Sequence, residues 1–360
     1  MTFEGDAARS TPRDASRATA RDALAGKLPV TLITGFLGSG KTTLISRLLK
    51  HPDMNRVAVV INEIGEIGID HDLVTMSSEN VSLLANGCLC CTVRTDLQET
   101  LRELFGQRRA GQIADFDRVI VETTGLADPA PVIQTLVSDT MLAAQYRLDG
   151  VVTLVDAVNG PGQLEHQPEA QKQAALADLI LITKSDLADQ AALDALGKSL
   201  NAINATAEQR IVKMGEIAPS ELVGLGLGSA RVSPATQRFL GAALEGEGDG
   251  YLGNRRGGRH DPSIGTLSLR FDAPFTWDGF SAAMELLTRL RGPDMLRVKG
   301  IVNVDGKPVV VQGVQHIFHP PVELDRWPSA DTGTRLVFIT RNITPEAIRG
   351  LFAAVSAVAA

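Results

Sequence analysis

Leu28-Pro29-Val30-Thr31-Leu32-Ile33-Thr34 runs straight into Gly35-Phe36-Leu37-Gly38-Ser39-Gly40-Lys41-Thr42, and this stretch decides the fold. The first run is short and apolar, and reads as a buried strand. The second matches the pattern G-x-x-x-x-G-K-[ST]. From Leu44 to Lys50 the apolar spacing turns helical. A strand before and a helix after are the context the pattern requires. Glycines let backbone N–H groups converge on phosphate oxygens, and the helix N-terminus adds a positive end. Gly35, Gly38, Ser39 and Gly40 are therefore the candidate cradle. Lys41 is placed to reach the β- and γ-phosphates, and Thr42 to hold Mg²⁺, with Thr43 completing the set.

Outward from this loop, apolar runs recur between helical stretches. Val57–Ile61, Val81–Ala85, Arg118–Val121, Val151–Val155 and Leu179–Thr183 read as strands, and Thr92–Phe105 as an amphipathic helix. Alternating β and α with near-continuous apolar strands predicts an α/β fold. Its sheet is mostly parallel and covered by helices on both faces, as in a P-loop NTPase. The pattern changes after Ala243. Residues 244–264 are rich in Gly and charge, and read as a flexible linker. Beyond them come predicted strands at Thr266–Phe271, Val298–Val304, Pro308–Gln312 and Arg335–Thr340, with helices at Trp277–Leu290 and Pro345–Val358. The expected organisation is a disordered tail at 1–27, a nucleotide-binding domain at 28–243, the linker, and a smaller α+β domain at 265–360.

Composition agrees. At roughly 100–200 residues per domain, 360 residues make about two domains. With 44% hydrophobic and 21% charged residues a core can be buried, which excludes a wholly disordered chain. A formal net charge of −7 argues against a dedicated nucleic-acid binder. No apolar run approaches the length of a transmembrane helix, and residues 1–27 contain no apolar signal core. The 3 cysteines cannot form a disulfide framework and point to a reducing, cytoplasmic setting.

Further motifs carry chemistry. Asp117–Gly125 (DRVIVETTG) is a buried strand ending in an acid, hydroxyls and a glycine. Strand ends hold ligands in such sheets. Glu122 is a candidate to orient Mg²⁺ through water or to position the attacking water, and the Gly125 amide is a candidate sensor of the γ-phosphate. Asp128-Pro129 reads as a helix start. Thr183-Lys184-Ser185-Asp186 resembles a guanine-reading loop. Asp186 would accept the two N–H donors of the guanine edge, for which adenine has no equivalent, and the Lys184 stem would pack on the base. Thr183 stands where such loops usually have Asn. GTP is thus favoured over ATP, and an ATP-dependent kinase is disfavoured.

Cys88, Cys90 and Cys91 lie in Gly87–Cys91 (GCLCC), read as a turn between a strand and the next helix. Thiolates are soft ligands, and three of them with one more ligand suit Zn²⁺ or Co²⁺. Glu63, Glu66 or water are candidates for the fourth position. Asn62–Asp70 (NEIGEIGID) falls where a switch loop meets Mg²⁺ and the γ-phosphate, so Glu63 competes with Glu122 for positioning water. His316 and His319 read as packed histidines, and His260 as solvated.

With the phosphate loop, GCLCC, ETTGLADP and TKSD in this order, the chain resembles the CobW-like family of P-loop GTPases, nearest its YjiA-type branch. The resemblance extends to Arg297-Val298-Lys299-Gly300 and Gln312-Gly313-Val314-Gln315-His316. It implies a GTPase, cycling between GTP and GDP, that binds a transition metal, foremost zinc, at the cysteines. Delivery to a client apo-metalloprotein, through the C-terminal domain, is implied with it. The alternatives it leaves are cobalt delivery in cobalamin synthesis and a non-catalytic regulator gated by GTP and metal. A homodimer is compatible with the resemblance, and neither nucleic acid nor membrane is expected as a partner. Many members carry a His-rich stretch between the domains, whereas this linker has only His260.

Overall fold

The structure is a computed structural model describing residues 26–54, 56–61, 74–76, 81–84, 89–92, 96–226, 239 and 264–359. The first part of the chain runs β1 (Leu28–Gly35), α1 (Lys41–Leu49), β2 (Val57–Ile61), β3 (Val74–Met76), β4 (Val81–Leu84), β5 (Leu89–Thr92) and α2 (Leu97–Arg109). It continues with β6 (Arg118–Glu122), α3 (Pro129–Ser138), α4 (Thr140–Gln145), β7 (Tyr146–Asp156), α5 (Gly160–His166), α6 (Pro168–Leu176), β8 (Leu179–Thr183), α7 (Gln190–Ile203) and β9 (Glu208–Ile211). These strands form a 9-stranded sheet in the order β3-β4-β5-β2-β6-β1-β7-β8-β9. From β5 to β9 every pairing is parallel, and β3 and β4 add an antiparallel edge.

Alternate residues of β1 build opposite cores. Val30 and Leu32 join Leu101, Ile133 and Leu176 on one face, while Ile33 joins Ile45, Leu48 and Val59 on the other. That two-sided burial is why these strands read as continuous apolar runs.

Two local expectations change, and one strand is new. Cys90 and Cys91 do not lie in a turn. Leu89–Thr92 is a strand, with Cys90 opposite Val59 and Cys91 opposite Val60 in parallel register. Thr92, expected to open a helix, pairs with Ile61 instead. The helix begins at Leu97, because the Asp96 side chain accepts from the Gln98 N–H and caps it. Finally, the strand β9 has the sequence Glu-Gln-Arg-Ile, which carries no apolar run to announce it.

The second sheet is built from β10 (Ile264–Phe271), β11 (Met295–Val304), β12 (Lys307–Val314), β13 (Ile317–Phe318), β14 (Val322–Glu323) and β15 (Thr334–Arg341). Its order is β10-β15-β11-β12-β13, all antiparallel, with β14 also on β12. The β11–β12 hairpin turns at Asp305-Gly306, with φ of 51° and 85°. Positive φ at both central residues matches the right-handed twist of the strands. Helices α8 (Trp277–Arg291) and α9 (Pro345–Ala359) cover one face, where Phe280 and Phe352 pack on Leu336 and Phe338. Ile264, assigned to the linker by composition, is buried and opens β10. Residues 1–25 and 244–263 of the expected tail and linker, with His260, lie outside the described residues. Lys27, placed in the tail, donates from Nζ to the Ala143 carbonyl at 2.6 Å. Among the described residues no helix is long and apolar enough to cross a membrane.

The two sheets share a core. Ile264, Leu296, Val314 and Ile339 of the second sheet belong to the same cluster as Ala174, Leu200 and Ile203 of α6 and α7. A buried charge cluster sits at this junction. Asp178, just before β8, accepts from the Val151 N–H at 2.9 Å and from Arg297 Nη2 at 2.6 Å. Lys299 also pairs with it, and Arg297 Nη1 donates to the Leu176 carbonyl. Burial alone would raise the Asp178 carboxyl, but Arg297 and Lys299 outweigh it and hold the pKa below its ordinary value.

His319 lines the same crevice, half-buried, and its backbone N–H donates to the Gln312 carbonyl at 3.0 Å. Burial, and then the charge of Arg297, lower its pKa from 6.5 to about 4, against the pull of Asp178. This agrees with its reading as a packed histidine, whereas His316, read the same way, is exposed. An unfolded histidine takes up its proton near pH 6.5, whereas this one resists until about 4, so stability is lost as pH falls between those values. Its partly exposed edge is screened by water, which keeps the energy below the full shift. The melting temperature should therefore fall from pH 7.5 to 5, and fall less in His319→Gln; equal slopes would refute this assignment. Asp178→Asn should cost about 3–5 kcal/mol in urea unfolding at pH 7, because it leaves two buried cations without their carboxylate.

Candidate functional site

Strand β1 ends at Gly35 and α1 begins at Lys41. Between them Gly38 and Gly40 have φ of +75° and +96°, and Gly35 has +147°. A Cβ on Gly35 would stand 2.5 Å from the Leu154 carbonyl oxygen and 2.7 Å from Ser39 Oγ. The loop is thus packed as bare backbone against β7, which is the cradle a phosphate chain needs. Lys41 is buried, and its Nζ donates to the Gly35 carbonyl at 2.9 Å, folded over the loop it is expected to serve. Thr42 and Thr43 are exposed in the first turn of α1. The cradle and the ammonium fit a nucleotide polyphosphate.

The end of β6 is stitched to the same place. Glu122 is fully buried between Ile33 of β1 and Ile61 of β2. The Thr123 N–H donates to the Ile33 carbonyl at 3.0 Å, and its hydroxyl bonds the Thr34 hydroxyl at 2.8 Å. A Cβ on Gly125 would meet Leu37 Cδ2 at 2.6 Å and Leu37 N at 2.9 Å. Gly125 therefore lies against the phosphate loop. The exposed Thr42 hydroxyl and the buried Glu122 carboxylate are hard oxygen groups of the kind that fit Mg²⁺, directly or through water. Asp128 accepts from the Ala130 N–H at 3.0 Å and caps α3, as expected of a helix start.

The loop expected to read the base is tied to the phosphate loop by the residue that departs from the usual pattern. Thr183 Oγ1 donates to the Ser39 carbonyl at 2.7 Å. A threonine hydroxyl thus makes a brace to the phosphate loop where such loops usually use an asparagine amide. Lys184 has φ of 54°, and its Nζ bonds Asp156 Oδ2 at 2.7 Å. Asp186 is exposed in the short turn Ser185–Leu187, where a base edge can reach it.

Asp156 stands outside the motifs read from the sequence. It is fully buried at the end of β7, and it also accepts from the Val158 and Asn159 N–H groups at 2.8 and 3.2 Å. Burial would raise its carboxyl, but Lys184, Asn159 and these amides hold it below its ordinary value. The signal was present, since an acid closing an apolar strand is the pattern that flagged Glu122.

Two family models divide the chain. The CobW/HypB/UreG nucleotide-binding domain matches residues 29–210, and the cobalamin synthesis protein cobW C-terminal domain matches residues 264–356. The chain belongs to the CobW family. Relatives of this CobW chain include the zinc chaperone YjiA of Escherichia coli, 34% identical, with 91% of this chain and 98% of the relative covered. The zinc chaperone CobW of Sinorhizobium is 32% identical, with 87% and 93% covered. The crystal structure of the Zn(II)-bound YjiA GTPase from E. coli aligns with a TM-score of 0.70 and 32% identity, covering 91% of this chain and 99% of that one.

The metal motif of this CobW chain is described only in part. Cys90 and Cys91 occupy neighbouring positions of β5, beside β2, while their side chains are not described. Cys88, Glu63 and Glu66 lie outside the described residues. The helix expected to follow the cysteines closely is capped at Asp96, so α2 starts beyond β5 and the residues after it.

The brace has a measurable consequence. Thr183→Val keeps the shape and deletes the hydroxyl, leaving the Ser39 carbonyl without this partner. Losing one such bond costs about 1 kcal/mol, so guanine-nucleotide affinity by fluorescence titration should fall roughly fivefold. Unchanged affinity would show that the brace contributes nothing to binding.

Proposed function

We propose that this chain is a GTP-hydrolysing metallochaperone. It loads zinc at Cys88, Cys90 and Cys91 and hands it to a client apo-metalloprotein through its C-terminal domain. The observation that carries the nucleotide half is the bond from Thr183 to the Ser39 carbonyl, which joins a guanine-reading loop to a phosphate cradle. The relatives named zinc chaperones support the metal half. Free thiols at a metal motif suit a reducing compartment, so we place the activity in the cytoplasm.

In this reading the backbone amides of Gly38–Lys41 hold the β-phosphate. Lys41 leaves the Gly35 carbonyl to meet the β- and γ-phosphates, where it stabilises the charge that develops on transfer. Asp186 selects guanine by accepting both donors of its edge. Gly125 donates its N–H to the γ-phosphate and loses that contact after hydrolysis. Glu122 or Glu63 orients the attacking water. Mg²⁺, held by Thr42 and oriented through water by Glu122, would neutralise phosphate charge. Residues 62–70 follow β2 in sequence, the strand whose register neighbours are the Cys90 and Cys91 positions of β5. A response of residues 62–70 to GTP is, in this reading, the means by which nucleotide state reaches the metal.

The test is Zn²⁺ and Co²⁺ affinity by competition with a chromophoric chelator, with GTP–Mg²⁺, GDP–Mg²⁺ or no nucleotide. Affinity should rise with GTP and collapse in Cys90→Ala, and affinity blind to nucleotide would remove the coupling. Multiple-turnover hydrolysis should fall by about 100-fold or more in Lys41→Ala, the scale of losing one preorganised transition-state donor. A wild type that binds GTP without turning it over would be a gated regulator instead.

A further inference from the structure

Helix α6 grips the Gly125 loop. Gln173 is buried, and its Nε2 donates to the Gly125 carbonyl at 3.2 Å and to the Ala127 carbonyl at 3.0 Å. Of the two ends of this side chain only the NH₂ can serve two carbonyl oxygens, so its orientation follows from its partners. The preceding residue, Lys172, pairs with the Asp128 carboxylate. The backbone carbonyl of Gln173 accepts from Thr153 Oγ1 at 2.8 Å, which pins this turn of α6 to β7. Two consecutive side chains therefore hold segment 125–128, the stretch that begins with the γ-phosphate sensor.

The end of the same helix is held by the second sheet. The Leu176 carbonyl accepts from Arg297, and the Asp178 carboxylate accepts from Arg297 and pairs with Lys299. From Gln173 to Leu176 is less than one helical turn, about 4.5 Å of rise. The anchor of the C-terminal domain and the anchor of the Gly125 loop thus sit on adjacent turns of one short helix.

We propose that Gln173 is a positioning residue for GTP: it holds Gly125 ready for the γ-phosphate, and Arg297 lets the seating of the C-terminal domain bias that hold. The physical need is specific. Glycine has little steric preference for one ψ, so a glycine loop must otherwise be ordered at the moment the γ-phosphate binds. Fixing its carbonyl beforehand removes that ordering cost from GTP binding. GDP has no γ-phosphate and draws no benefit. A client that pulls on the second sheet would loosen or tighten the sensor through Arg297. This inference rests on the GTP reading above.

The test uses the full chain. Affinities for GDP and for a non-hydrolysable GTP analogue are measured by fluorescence titration in wild type, Gln173→Met, Arg297→Lys and the double variant, together with kcat and KM for GTP. Gln173→Met should weaken the analogue about tenfold, the scale of two lost hydrogen bonds, and leave GDP affinity unchanged. Arg297→Lys keeps a charge for Asp178 but gives up the fork that also reaches Leu176. It should weaken the analogue by a smaller factor, with a combined effect smaller than the product of the two. Equal weakening of both nucleotides would mean a purely structural role and overturn the proposal, as would an unchanged ratio. Strict multiplicativity would remove Arg297 from it. Should Gln173→Met fold poorly, Gln173→Leu removes both donors with a different apolar side chain. A wild type that binds no guanine nucleotide would sink the functional reading itself, whereas discrimination that survives both Gln173 variants sinks this inference alone.

Discussion

The Leu154 carbonyl of β7 stands where a side chain on Gly35 would have to be. Backbone therefore lies directly on backbone at the end of β1, and the chain can turn into α1 with its amides converging. Everything at the site is arranged around that approach. Strand β1 must lie at the centre of the sheet, with β6 on one side and β7 on the other. Both neighbours are parallel to it, so their C-terminal ends open at the same edge. β6 delivers Glu122 and Gly125 there, β7 delivers Asp156, and β8 beside it delivers Thr183. An open parallel sheet binds ligands at this edge because the carboxyl ends and helix starts gather there.

The second constraint is the junction between the two sheets. It combines an apolar cluster with a carboxylate shared by Arg297 and Lys299. Such a cluster gains little stability compared with apolar packing of the same volume, because desolvating three charges offsets much of their attraction. What it supplies is position. Asp178 accepts the Val151 N–H as well as the two cations, so the second sheet is seated on the strand edge and not merely on a greasy surface. Asp178 precedes Leu179, the first residue of β8, and Thr183 is the last. One short strand therefore runs from the domain junction to Thr183 beside the phosphate loop, and α6, packed on β1 and β7, runs from the junction to the Gly125 loop. The nucleotide site and the C-terminal sheet are joined by two rigid elements with few soft torsions between them.

The cysteine motif shows why local reading has limits. Three cysteines in close sequence announce soft-metal chemistry wherever they stand. The backbone setting of Cys90 and Cys91 depends on β2, which offers a parallel edge to Leu89–Thr92 and draws the segment into the sheet. A turn and a strand of this length look alike in sequence until the partner strand is known.

What the sequence determined by itself is what depends on neighbours a few residues away. The phosphate loop needs only its glycines, its lysine and the elements flanking it. The Asp128 cap and the Asp305-Gly306 turn are decided by side chains and torsions within one turn of chain. The apolar runs of β1, β2, β6, β7 and β8 announce two-sided burial, and with it a parallel sheet. Tertiary structure alone decided the rest. It paired Cys90 with Val59, made a strand of polar Glu208–Ile211, and turned Asp156 into the partner of Lys184. It also brought Arg297 to Asp178 across 119 residues of chain and set Gln173 under the Gly125 loop. Those contacts depend on which surfaces meet after the chain has folded back on itself. A buried Gln or Asp in a sequence window carries no mark of the partner waiting on a distant strand, because its hydrogen bond is chosen by packing and not by its neighbours along the chain.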